Sequence, residues 1–223
     1  MSNERLYTLL KRAADVVVSV VALVLLSPIF ALTALLVAVS MGRPVLFVQE
    51  RPGLHGRLFR LVKFRTMRLG SGTNTERLTR VGRLLRRCSI DELPEFWNVL
   101  KGDMSLTGPR PLLKEYLELY TAEQARRHDV MPGLTGWAQV NGRNAISWER
   151  RLALDVWYVD HRSAWMDARI LLLTPWKVLT REGAHPKGHA TMERFAGSHA
   201  GNVQAPLGAY GPQGTLPGTR LRG

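Results

Sequence analysis

The uncharged run from Val16 to Met41 constrains this chain before any other feature does. It exceeds the roughly 20 apolar residues that carry a helix across a bilayer, and it is too long for the apolar region of a cleaved signal peptide, about 7 to 15 residues. Yet Ser27 and Pro28 interrupt it near the middle. Arg5, Lys11 and Arg12 precede the run, and Arg43, Arg51, Arg57 and Arg60 follow it. Cationic flanks stay on the cytoplasmic side, so both ends are drawn to one face, and a straight span satisfies only one of them. Proline has no N–H, and its ring collides with the carbonyl four residues back, here that of Val24, so the helix bends there. The Ser27 hydroxyl is placed to satisfy a freed carbonyl in an apolar medium. The expected shape is a re-entrant hairpin of two short helices over residues 1–42, entering one leaflet and returning; a kinked single span is the alternative.

The chain has 223 residues, enough for one domain with appendages, and a formal net charge of +13. Such a charge calls for an anionic partner: nucleic acid, lipid headgroups or a phosphorylated substrate. The single cysteine, Cys88, excludes an internal disulfide and a cysteine-based zinc site. Arg43 to Gly53 reads as a short strand ended by a turn, and Leu58 to Met67 alternates apolar and basic residues as a half-exposed strand does. Thr75 to Arg87 places Leu78, Val81, Leu84 and Leu85 on one helical face with arginines elsewhere, the pattern of a basic helix lying on an anionic membrane. Pro111 can open a second helix carrying Leu112, Leu113, Tyr116 and Tyr120. Trp165 to Thr180 is a third, with Trp165 and Trp176 placed for the headgroup level. Each of the three also fits a helix packed on a core. Beyond Ser198, glycine, proline and small polar residues dominate without hydrophobic period, and 198–223 reads as a disordered tail.

Chemistry concentrates in SIDELPEFWNVLKGDMSLTGPRP, Ser89 to Pro111. Asp91 and Glu92 are adjacent carboxylates just before Pro94, which favours a first helical turn, so they are expected at a helix N-terminus, where free N–H groups favour anions. Ser89 and Glu92 also match a capping box. Against that simpler reading stand the cations gathered around the pair: Arg86 and Arg87 before it, Lys101 and Arg110 after it, Lys63 further back. Guanidinium groups keep carboxylates ionised and bind phosphate oxygens through paired hydrogen bonds. An Asp carboxylate can attack phosphorus while a divalent cation and arginines neutralise the oxygens. Glu92 is placed to hold the cation, and Mg²⁺ suits carboxylates plus substrate phosphates.

The Ser27-Pro28 break, KFRTM, the Ser89–Pro111 segment, PGLTGWAQVNGRNAISW and LDVWYVDH, in this order, resemble the small monotopic phosphoglycosyl transferases of the bacterial sugar transferase family, the PglC type. The resemblance runs from about Arg5 to Phe195. It implies transfer of a sugar 1-phosphate from a UDP-sugar to undecaprenyl phosphate with release of UMP, at the cytoplasmic face of the bacterial inner membrane. It implies Asp91 as nucleophile and Glu92 as Mg²⁺-binding partner beside it. Lys63, Arg86 and Arg110 would line the active site, and Arg143 is a weaker candidate for substrate contact. Ser27 and Pro28 would be the re-entrant break. The implied fold is a membrane-associated mixed α/β protein: the hairpin, amphipathic interfacial helices, and a small cytoplasmic catalytic domain over 43–197. GHATMERF and the Gly133–Trp148 stretch lean toward members that use N-acetylated UDP-sugars.

Other features carry less. Gly133, Gly136 and Gly142 read as tight turns or, by the resemblance, an active-site loop. Asp155 and Asp160 read as structural or surface acids, His185 and His189 as solvent-exposed, and Cys88 as small packing. A nucleic-acid-binding protein would explain the charge, but zinc-finger and RNP patterns are absent and no nucleic acid is expected. An anchor would explain only the apolar run. The chain has no Asp-x-Asp, Walker A or G-x-G-x-x-G sequence, which removes the nearest enzyme rivals.

Overall fold

In the computed structural model, which describes residues 3–142, 145–180 and 194–197, the apolar run is broken where the sequence says it must be. Helix α1 (Asn3–Leu25) and helix α2 (Ser27–Met41) meet at Leu26 with a bend of 62°. The Ser27 hydroxyl donates to the Val24 carbonyl at 2.7 Å, the group that Pro28 leaves without its helical N–H. No single described helix is long and apolar enough to cross a membrane, whereas the bent pair together reaches that length and composition.

The bent helix pair is inverted relative to a globular core. Val17, Val21, Val24, Leu32, Leu35 and Val39 are exposed, while Asp15, Ser19 and Thr33 are buried. The buried polar side faces the rest of the protein. Asp15 accepts a hydrogen bond from the Leu106 N–H at 3.0 Å. Lys11 pairs with Asp167 at 2.7 Å.

A strand pair follows. β1 (Leu46–Pro52) and β2 (Leu58–Phe64) fall within the two stretches read as strands and run antiparallel, with Phe47 opposite Lys63 and Arg51 opposite Phe59. The next segment departs from the expected single helix over Thr75–Arg87. It forms two pieces, α3 (Asn74–Arg77) and α4 (Arg80–Arg87), because Thr73 caps the first, Thr79 caps the second, and Leu78 between them is extended and bridges Met67. The apolar face divides accordingly: Leu85 is buried against Val37 and Phe64, whereas Leu84 is 56% exposed. Gly82 brings α4 onto the Thr66 carbonyl, where any Cβ would collide.

Helix α5 (Glu95–Lys101) leads to β3 (Ser105–Thr107). Arg12 of α1 donates to the Val99 and Leu100 carbonyls at 2.6 and 2.8 Å, which ties α1 to the last turn of α5. Pro111 does not open a helix. The chain stays extended to Leu113 and makes only a 3₁₀ stretch over Lys114–Leu119, with Tyr116 buried. After α6 (Ala122–Ala125) comes β4 (Gly133–Thr135), parallel to β3, then α7 (Trp137–Val140), α8 (Trp148–His161) and α9 (Ala164–Thr180).

The last three helices close the main core, where Trp137, Leu154, Trp157, Tyr158 and Ile170 are almost fully buried. At about 1.5–3 kcal/mol for each large apolar side chain buried, this cluster supplies much of the hydrophobic driving force. A second cluster, Leu61, Val99, Met104 and Leu106, joins β2, α5 and β3. Helix α9 is two-sided: Met166 and Ile170 are buried, but Trp165, Leu172, Trp176 and Leu179 are each more than 60% exposed.

Candidate active site

The site forms where α4 hands over to α5. Ser89 adopts a left-handed conformation (φ 55°) and turns the chain into one 3₁₀ turn, Ile90–Glu92, after which Leu93 and Pro94 lead into α5. Asp91 and Glu92 therefore precede the helix and do not occupy its first turn, since the α-helix begins only at Glu95. Ser89 makes no capping hydrogen bond, so the capping box is absent, and Glu92 points elsewhere. Cys88 is exposed, not packed.

Glu92 is held by two cations. Its Oε1 accepts from Lys63 Nζ at 2.9 Å and from Arg110 Nη2; its Oε2 accepts from Arg110 Nη1 at 3.2 Å. Lys63 also lies 2.8 Å from Glu95, whose side chain is 2% exposed. Strand β2 thus supplies Lys63, the 3₁₀ turn the two acids, α5 a third carboxylate, and the loop after β3 the arginine. That loop is fixed by backbone contact. Gly108 donates to the Thr135 carbonyl at 2.9 Å and Gly133 to the Pro109 carbonyl at 3.0 Å. Gly108, Gly133 and Gly136 approach so closely that a Cβ on any of them would strike backbone, which is a packing reason for these glycines, not a turn. Arg127, buried and paired with Asp155 at 2.7 Å, donates to the Arg110 carbonyl at 2.7 Å. Asp155 is structural, as its sequence context predicts, and Asp160 pairs with Arg126 at the surface.

Asp91 differs from its neighbours. It is 7% exposed, and its carboxylate accepts no hydrogen bond and makes no ion pair among the described residues. Burial pushes its carboxyl up to about 6, and the adjacent Glu92 adds to that, against the pull of Lys63, Arg86 and Arg110. Glu92 goes the other way: burial opposes its charge, but Arg110 and Lys63 outweigh burial and hold it well below the usual carboxylate range. Glu95 is lifted by burial and by Glu92 in spite of Lys63. Two adjacent acids are thereby separated in proton affinity, the condition under which they can take different roles. Arg86 donates to Thr66 Oγ1 at 3.0 Å, which fixes it beside this group.

No group of three or more His, Cys, Asp or Glu side chains is placed to hold a metal ion among the described residues. The donor set still fits Mg²⁺ in its usual mode, with one or two carboxylates and the remaining ligands from substrate phosphates and water. Asp91 has its carboxylate open. Glu92 uses three of about four acceptor positions on Lys63 and Arg110, which leaves one.

Of the residues singled out in the sequence, Lys63, Arg86, Asp91, Glu92 and Arg110 converge here. Lys101 does not; it pairs with Asp103 at the far end of α5. Ser27 and Pro28 lie at the bend between α1 and α2, and Arg143, His185, His189 and the tail lie outside the described residues. Sequence reasoning missed Glu95, Arg127 and Arg51, whose guanidinium is half-buried beside Gln49 at 2.7 Å with its Nε unpartnered among the described residues. The signal for Glu95 was available, because it sits one turn beyond Asp91.

Comparison with known proteins settles the lineage. Residues 6–181 match the family described as bacterial sugar transferase. The chain belongs to that family. It is 55% identical over 196 residues to EpsL of Bacillus subtilis, described as an uncharacterized sugar transferase, an alignment that covers 85% of this chain and 97% of that protein. It is 39% identical over 193 residues to the UDP-N-acetylgalactosamine-undecaprenyl-phosphate N-acetylgalactosaminephosphotransferase of Aeromonas hydrophila, covering 80% of this chain and 46% of the relative. It is equally similar, 39% over 193 residues, to the UDP-glucose:undecaprenyl-phosphate glucose-1-phosphate transferase of Escherichia coli, covering 79% of this chain and 42% of the relative. The chain thus spans under half the length of these last two relatives.

Proposed function

We propose that this chain moves a sugar 1-phosphate from a UDP-sugar to undecaprenyl phosphate, the substrates named for two of its relatives, and releases UMP. The observation that carries the mechanism is Asp91: a buried carboxylate without a partner among the described residues, facing Lys63, Arg86 and Arg110. An Asp91 oxygen attacks the sugar-bearing phosphorus of the UDP-sugar. The bond from that phosphorus to the bridging oxygen breaks, and the electron pair leaves with UMP. In the second step a phosphate oxygen of the lipid attacks the aspartyl-bound phosphorus, the carboxylate departs, and the lipid diphosphate sugar is formed. Donor and acceptor never need to be bound together, so kinetics are ping-pong.

Lys63 and Arg110 donate to non-bridging oxygens while Glu92 holds both cations in place, and Arg86 contacts the diphosphate. Asp91 and Glu92 would hold Mg²⁺, which when bound supplies further neutralisation of the diphosphate. The hairpin is monotopic: it dips into the cytoplasmic leaflet of the bacterial inner membrane, so the lipid phosphate reaches Asp91 without leaving the interface. The exposed Trp165 and Trp176 of α9 support the same interfacial placement. The reaction begins glycoconjugate assembly. The sugar differs between the relatives, N-acetylgalactosamine in one and glucose in the other.

The test is a panel of UDP-sugars given with Mg²⁺ and no lipid. The accepted sugar is expected to release UMP up to one equivalent and then stop, and undecaprenyl phosphate is expected to restart release. UMP that appears only when both substrates are present, with sequential initial-rate patterns, contradicts the covalent step.

A further inference from the structure

At the opposite end of α4 from Arg86, a cleft of about 370 Å³ opens between the last turn of α2 and the α3–α4 junction. Its lining includes Ser40, Arg68, Glu76, Thr79, Arg80 and Arg83. Three guanidinium groups meet one carboxylate there, and Glu76 is already engaged by the Thr73 N–H at 2.7 Å in the cap of α3. Arg68 and Arg80 make no side-chain hydrogen bond or ion pair among the described residues, and Arg83 only reaches the Leu78 carbonyl at 3.5 Å. The cations are uncompensated. The walls nevertheless are fixed. Arg68 donates its N–H to the Arg77 carbonyl at 2.8 Å and accepts from Arg77 Nε at 2.9 Å, while Thr79 donates to Met41 Sδ at 3.5 Å and ties α4 to the end of α2. The volume lies within the range of about 300–1,000 Å³ found for small-ligand sites.

The surroundings identify the ligand class. Ser40 bonds back to the Leu36 carbonyl at 2.6 Å, and Leu36 and Val39 on the same turn of α2 are 42% and 81% exposed. Leu84, one turn beyond Arg80, is also exposed. A free phosphate ion has no use for this apolar approach, whereas a molecule with an anionic head and apolar tails fills both parts. We propose that the cleft seats the phosphodiester headgroup of an anionic membrane phospholipid, with its acyl chains lying along α2. The guanidinium groups pair with the phosphate oxygens, and the occupied cleft fixes where the hairpin sits in the leaflet. This rests on the reading of the hairpin as membrane-embedded.

The test reconstitutes the full chain in phosphatidylcholine bilayers containing a trace of phosphatidylglycerol, extracts it in neutral detergent, and counts retained lipid by native mass spectrometry. Wild type is expected to keep one phosphatidylglycerol. Arg68→Gln with Arg80→Gln is expected to bind it about thirtyfold more weakly, roughly fivefold for each cation removed. Both side chains are exposed, so circular dichroism should be unchanged. Arg57→Gln with Arg60→Gln removes the same charge from the far end of the strand pair and is expected to keep wild-type affinity. Equal weakening in the two double variants, or no retained lipid in wild type, overturns the proposal. Displacement by glycerol 1-phosphate at the concentration at which phosphatidylglycerol competes overturns the lipid assignment in favour of a soluble phosphate. Flotation of wild type with pure phosphatidylcholine vesicles reads the hairpin separately: flotation without a retained anionic lipid defeats this inference alone, and failure to float defeats the hairpin reading and this inference with it.

Discussion

Asp15, in helix α1, and Asp91, in the turn before α5, are both carboxylates with little exposure, 4% and 7%. Asp15 accepts the Leu106 N–H at 3.0 Å and so joins α1 to β3. Asp91 accepts nothing from the described residues and sits among cations that serve its neighbour Glu92. A buried acid with a partner holds a fold together, and one without a partner is poised to react, because desolvation that no hydrogen bond offsets is relieved when a substrate arrives.

The largest test of this contrast exchanges the two losses. Asp91→Asn is expected to lower turnover by about 10³-fold or more while the protein still folds, since an amide cannot form the acyl phosphate. Asp15→Ala is expected to leave the pH dependence of turnover unchanged but to destabilise the fold by about 1–3 kcal/mol, through the buried N–H of Leu106 that it strands. Steady-state rates and thermal melts on both variants read the two effects; equal loss of turnover in both would erase the distinction.

The hairpin can be broken at its hinge. Ser27→Ala with Pro28→Ala restores the missing N–H and should straighten the segment, which carries the N-terminus to the opposite face of the membrane. In a Cys88→Ser background, cysteines at Asn3 and Ser71 should both resist an impermeant thiol reagent in intact cells. The double variant should expose Asn3 alone. Labelling of one site without the hinge substitutions would mean a full span.

Protonation gives a graded effect. With the Asp91 carboxyl raised to about 6, mainly by burial, the reactive ion is lost below that pH, so the UMP burst rate should fall about tenfold per unit there and level off above it. The stability consequence has the opposite sense. Between about 4 and 6 the folded protein keeps a proton that the unfolded chain has released, so stability falls as pH rises through this window. Above it the ionised Asp91 costs on the order of 3 kcal/mol. Asp91→Asn removes that cost and should raise the melting temperature by roughly 6–12 °C at pH 7.5. A melting temperature unchanged between pH 5 and 7.5 in wild type would count against the raised value.

Much of this was legible in the chain. Proline acts through covalent structure, so the break at Ser27-Pro28 and the Ser27 bond to Val24 followed from sequence. The β1 and β2 strands followed from a turn signal and from alternation, though not their pairing, and the clustering of cations around Asp91 and Glu92 from their local density. What failed was boundary chemistry. Thr79 caps a second helix and cuts Thr75–Arg87 in two, Pro94 stands before α5 and not within it, and the chain after Pro111 settles only for a 3₁₀ stretch. The contacts of Arg127 with Asp155 and with the Arg110 carbonyl were also hidden, because they link residues far apart in the chain. Such contacts depend on how α8 packs against the loop after β3, which no local pattern encodes.

The central claim is that Asp91 carries the sugar phosphate between donor and acceptor. Intact-protein mass spectrometry after exposure to the accepted UDP-sugar and Mg²⁺, without lipid, tests it most directly. Wild type should gain the mass of one sugar phosphate and lose it when undecaprenyl phosphate is added, and Asp91→Asn should gain nothing. An adduct of the same mass on Asp91→Asn, or full turnover by that variant, would contradict the account.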